Sequence, residues 1–308
     1  MQNNLSFSEF VDYIRENIRI GWWENRELEI RKVKKNNGLE LTALLFPRED
    51  IPATPTFYLE HFYETYLENG GGDPAYMMSI VRDHYERAED SIIPMDVDKL
   101  FDYEKMRDSI IYRLVNYEKN AEMLQNCPHI RVHDLALTFR SLVSFDETAV
   151  TSALVNNDQM GEWGVSRSDL LLDAQKNSRK LFPPVIYPMY QLLEGADQEE
   201  PEEEPCMYVA TNRQMLFGAV ALLYQDVLEE FGEKTGGNFY VMPSSVHEVI
   251  LVPDRDGFDP QMLCSMVKEV NETVVSEDEV LSDSVYYYDC DMHKLIHHHE
   301  FVKDNPDY

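Results

Sequence analysis

Apolar residues recur at helical spacing over Phe7–Arg19, where Phe10, Val11, Ile14 and Ile18 form one stripe. Ser6 followed by Glu9 is a capping box, which places the start of that helix. A period of two follows. Leu28 and Ile30 alternate with charged residues, and Leu39, Leu41, Ala43 and Leu45 alternate with Glu40 and Thr42. Asn36, Asn37 and Gly38 stand between the two runs, which predicts a β-hairpin. Beyond Pro52 and Pro55 the pattern predicts a helix over 56–68, ended by Gly70, Gly71 and Gly72, and another from Pro74 to Ala88. Residues 1–90 thus read as a helix–hairpin–helix N-terminal region.

Residues 91–308 read as a larger α+β region. Strands are expected over 109–116, 135–143 and 149–154, the last two joined by a turn at Phe145, Asp146 and Glu147. A helix is expected over 168–181, capped by Ser166 or Ser168 and stopped by Pro183 and Pro184. The acidic, proline-bounded run 197–205 is expected to be a solvated loop. Met207–Ala210 reads as a short strand. Met215, Leu216, Ala219, Val220, Leu223, Val227 and Phe231 mark a helix that is apolar nearly all round at its start, hence buried, with Gly236 and Gly237 ending it. Strands over 238–242 and 246–252, a helix over 260–271 and a strand over 285–288 complete the chain. The fold class is α+β, a mixed or antiparallel sheet with packed helices.

Charge changes the picture more than composition does. The chain has 57 acidic and 27 basic residues, a formal net charge of −30. Residues 181–308 hold 26 of the acids and 6 of the bases, a net of −20. Such a surface repels a phosphate backbone, so direct nucleic-acid binding is not expected, whereas a basic protein partner is. The apolar stretch 215–224 is about half the length of a membrane span. Cys127, Cys206, Cys264 and Cys290 form no CxxC pair. No secretory signal precedes them, so a cytoplasmic setting is expected.

Chemistry is sought first at Pro243–Glu248, where Ser244, Ser245, His247 and Glu248 lie within six residues. A hydrolase-type site needs a serine nucleophile, a base within reach and an orienting third group. A strand over 246–252 would send His247 and Glu248 to opposite apolar faces, so each would be buried and would need a partner from another segment. Thr211 and Asn212 are candidates. On the structural reading, His247→Ala or Glu248→Ala would strand such a partner at a cost of about 1 to 3 kcal/mol. No cofactor is expected. His293, His297 and His299 are candidates for weak, dispensable binding of a divalent transition metal, because His293 and His297 would share a face if residues 292–300 were helical. His129 and His133 are also four apart, but a strand would hold them too far apart to share a metal.

Three sets of residues resemble a family of uncharacterised bacterial proteins from Gram-positive gut anaerobes, a domain of unknown function. They are Lys34–Gly38 with Pro55–Leu59; Trp163, Gly164 and Val165 with Ala174 and Asn177; and Thr211 and Asn212 with Gly218, Ala219 and the run Asn238–Val249. The resemblance covers nearly the whole chain. It implies a bacterial cytoplasmic protein and carries no catalytic residues.

Overall fold

The computed structural model describes residues 4–48, 54–90, 97–145, 150–192, 207–255 and 259–297. The acidic run 197–205, Asp146, Glu147 and His299 lie outside the described residues. The chain divides into two compact units, residues 1–98 and 99–308.

In the first unit, α1 (Phe7–Asn17) begins at Ser6, whose hydroxyl accepts from the Glu9 N–H while the Glu9 carboxylate accepts from the Ser6 N–H. Its buried face is Phe10, Val11 and Ile14, the predicted stripe. Strands β1 (Glu29–Lys34) and β2 (Glu40–Leu45) pair antiparallel around a 3-10 turn at Asn36–Gly38, with Asn37 and Gly38 at positive φ. A two-residue strand β3 (Phe57–Tyr58) adds to β2, so α2 (Leu59–Glu68) starts later than its periodicity suggests. Helix α3 (Pro74–Asp90) completes the unit. Phe10, Ile14, Leu44, Phe46, Leu59, Val81 and Tyr85 form its core.

The second unit has two antiparallel sheets. After a short helix α4 (Tyr103–Met106), β4 (Ile110–Asn116), α5 (Ala121–Leu124), β5 (His129–Val132), β6 (Leu135–Phe145) and β7 (Val150–Leu154) follow in sequence. The long β6 is central, paired with β4 on one edge and with β5 and then β7 on the other. Helices α6 (Asn157–Trp163) and α7 (Arg167–Leu181) come next, α7 capped by Ser166 in a box with Asp169. The second sheet is built from β8 (Pro184–Pro188), β9 (Tyr208–Asn212), β10 (Phe239–Met242), β11 (Val249–Pro253), β12 (Tyr286–Asp289) and β13 (Lys294–His297), in the order β13-β12-β10-β11-β9-β8. Helix α8 (Gln225–Thr235) and helix α9 (Pro260–Thr273) lie between its strands in the chain.

Alternation along β10 and β12 explains why both faces of this sheet are apolar. Phe239, Val241, Tyr286 and Tyr288 join a core shared with β4, β6, α7 and α8. Tyr240, Met242 and Tyr287 point the other way and pack with Leu263 and Val267 of α9. A polar link also joins the sheets. The Asp134 carboxylate, at the β5–β6 turn, accepts from the hydroxyls of Ser282 (2.6 Å), Ser284 (3.0 Å) and Tyr286.

Two expected elements are corrected. The single helix expected over 215–231 is a 3-10 turn, Gly218–Leu223, followed by α8. Tyr224 is extended (φ −94°, ψ 95°) and breaks the path between them. All-round apolarity, the signature of a buried segment, does not distinguish a 3-10 turn from an α-helix. The strand expected from Val246 begins only at Val249, because residues 244–248 are held by another segment, as described next.

Candidate functional site

Residues 243–246 run antiparallel to residues 279–282. The Val246 N–H donates to the Glu279 carbonyl (2.9 Å), the Leu281 N–H to the Ser244 carbonyl (2.8 Å) and the Ser282 N–H to the Pro243 carbonyl (2.9 Å). Ser245 bridges Val280. Pairing with 279–282 takes these residues out of register with β9, so β11 cannot start until Val249. His247 and Glu248 therefore occupy a bend rather than a strand, and both are half-buried.

The bend is also pinned from the opposite side by Thr211 and Gly218. The Thr211 hydroxyl donates to the His247 carbonyl at 2.8 Å. A Cβ added at Gly218 would lie 2.3 Å from Thr211 Oγ1 and 2.4 Å from the His247 carbonyl oxygen. The chain reaches this approach through Asn212. Its Oδ1 accepts from the N–H groups of Gln214 and Leu216, and its Nδ2 donates to the Leu216 carbonyl at 2.7 Å. Met215 and Phe217 are thereby held at positive φ, a conformation that costs a non-glycine residue about 1 to 3 kcal/mol.

Both ring nitrogens of His247 are engaged. Nδ1 accepts from the Phe217 N–H at 3.3 Å, which leaves the proton of the neutral ring on Nε2, facing Glu279 Oε1 at 3.3 Å. The Phe217 ring stacks on the imidazole with centroids 6.0 Å apart. The Ser245 hydroxyl accepts from the His247 N–H at 3.0 Å and lies near the Glu248 carboxylate. Burial raises the Glu248 carboxyl above its ordinary range; the Ser245 hydroxyl and His247 pull it back, and Glu279 pushes it up again. Ser244 is buried, its backbone taken up by Leu281 and Met242. The structure thus brings Ser245, His247 and Glu248 together, but the Ser245 hydroxyl meets the His247 backbone and not its ring.

Arg113, Phe217 and Glu279 were not singled out in the sequence, and Gly218 entered there only among the residues that carry the resemblance. Arg113 and Arg140 do carry a signal there, as lone cations within otherwise apolar strand-length runs. The guanidinium of Arg113 lies 5.1 Å from the Phe217 ring centroid.

The histidines near the C-terminus are arranged differently from the helical condition set for them. His293, at positive φ in the β12–β13 turn, pairs with Glu229 at 2.9 Å. His297 ends β13, its ring 5.3 Å from Tyr286 and 6.2 Å from His133. Among the described residues no group of three or more His, Cys, Asp or Glu is placed to hold a metal. The three described cysteines, Cys127, Cys264 and Cys290, are free, and no described helix is long and apolar enough to cross a membrane.

Fold and site define an α+β protein of antiparallel sheets with a pinned polar bend beside the second sheet. Residues 7–290 match a family of unknown function (DUF5688), and the chain belongs to that family. Neither the curated proteins nor the solved structures compared with it give a match.

Two outcomes follow from this geometry. Gly218→Ala is expected to lower stability by about 1 to 3 kcal/mol, read as a lower urea midpoint at unchanged slope, because backbone and Thr211 must give way. Glu248 has a higher pKa folded than unfolded, so its ionisation opposes folding as pH rises through the unfolded value. Glu248→Gln should therefore melt above the parent at neutral pH. The gap should close in acid, below the ordinary glutamate range.

Proposed function

We propose that this protein is a non-enzymatic interaction or regulatory protein whose acidic surface engages a basic protein partner. The reading is carried by the net charge of −20 over residues 181–308, part of which stands exposed around the end of α9 as Glu269, Glu272, Glu277 and Asp283. Such a field speeds and orients encounters with a positive surface and weakens with salt. It also disfavours direct contact with nucleic acid. A bacterial cytoplasmic setting fits this reading, as do the free cysteines. Metal binding at His293, His297 and His299, on this reading, is weak and dispensable.

A hydrolase-type site at Ser244, Ser245, His247 and Glu248 is the second reading. What favours it is Glu248, a half-buried carboxyl with a raised pKa beside the Ser245 hydroxyl. Against it stands the engagement of both His247 ring nitrogens by Phe217 and Glu279, which leaves Ser245 without an imidazole base.

The test uses the partner recovered on the full-length chain. Reversing Glu269, Glu272 and Glu277 together to Lys should weaken its affinity by roughly 10-fold or more at low salt, with a shallower salt dependence. An affinity indifferent to both salt and charge reversal would contradict the proposal.

A further inference from the structure

Arg113 on β4 and Arg140 on β6 leave the same face of the first sheet. Register pairs Arg140 with Ile111 and Arg113 with Thr138, and Ile111 and Arg113 alternate to one side, so the two cations are diagonal neighbours. Arg140 is anchored: Nε donates to the Ser152 hydroxyl and a terminal nitrogen to the Ser152 carbonyl, each at 2.8 Å. Arg113 is not. Its Nε is sealed from solvent and donates to nothing, although the residue keeps part of its surface open.

Among the described residues neither arginine forms an ion pair, in a chain where acids outnumber bases by 57 to 27. Burial, with Arg140 adding repulsion, pulls the Arg113 guanidinium down to about 10. The acids that act on Arg113 are Asp278 and Glu279, and Glu279 is already turned to His247. Two adjacent, partly desolvated cations with an unfilled donor are costly unless an anion joins them.

We infer that the face of β4 and β6 is a binding site for a small monocarboxylic acid, its carboxylate held by Arg113 and Arg140 and its apolar part laid against Phe217. A guanidinium presents paired donors matched to a carboxylate. The Phe217 ring, fixed at positive φ beside Arg113, supplies an aromatic wall. Asp278 and Glu279 repel a second negative charge, which selects a monoanion over a phosphate dianion. This site is independent of the acidic surface proposed above, and the absence of a basic partner leaves it untouched.

The experiment is a thermal-shift and calorimetric titration of the full chain with benzoate, acetate and inorganic phosphate, at matched ionic strength with chloride as reference. Benzoate should raise the melting midpoint saturably and more than phosphate, as binding to the native state alone requires. Arg113→Met should abolish the benzoate response while melting cooperatively. If that variant does not fold, Arg113→Lys, which keeps charge but loses the paired donors, should weaken benzoate binding roughly 10-fold or more. No saturable response to benzoate, a response retained in the Arg113 variant that folds, or a stronger response to phosphate would each overturn the inference.

Discussion

The missing side chain at residue 218 is the constraint from which the pinned bend follows. With no Cβ there, the 3-10 turn settles against β9 until the Thr211 hydroxyl reaches the His247 carbonyl. The Ala219 N–H then lies 3.4 Å from the Val246 carbonyl. The preceding Phe217, in the left-handed region after the Asn212 turn, has its ring and its N–H directed accordingly. The ring stacks on His247 and lies 5.1 Å from the Arg113 guanidinium, and the N–H meets His247 Nδ1. Segment 279–282 closes the other side, so the bend has its main-chain groups paired at both edges, as buried backbone requires.

The same packing separates two kinds of charge. Carboxylates crowd the exposed end of α9 and the loop after it, where water screens them and their mutual repulsion costs little. Arg113 and Arg140 sit on a sheet face where screening is weaker, and there the shortage of counter-charge matters. Glu279 stands between the two populations: its backbone holds Val246 in place and its carboxylate faces His247.

What could be read from the sequence was local. Ser6 with Glu9, Ser166 before α7, and Asn36–Gly38 between alternating runs each carry their structure within a few residues. The antiparallel α+β class followed from the same periodicities. Thr211 stood out beside an apolar run as a partner for the His247 or Glu248 side chain, but its hydroxyl meets the His247 main-chain carbonyl instead. Residues 244–248 were not legible, since what keeps them out of β11 is a segment more than thirty residues downstream. The 215–224 stretch was ambiguous for a different reason: when every position is apolar, no period remains to separate helix types. Arg113 and Arg140 were visible as charges in strands, but their shared face depends on the β4–β6 register, which neither strand encodes alone.

His247 spends its Nδ1 on the Phe217 N–H and turns its Nε2 to Glu279. Nitrogen-15 NMR of the imidazole ring in mildly alkaline buffer reads this directly. The expected result is a single Nε2–H tautomer with an unprotonated Nδ1 and slow exchange of the Nε2 proton. An Nδ1–H tautomer, or a freely averaging ring, would contradict it and return His247 to consideration as a base.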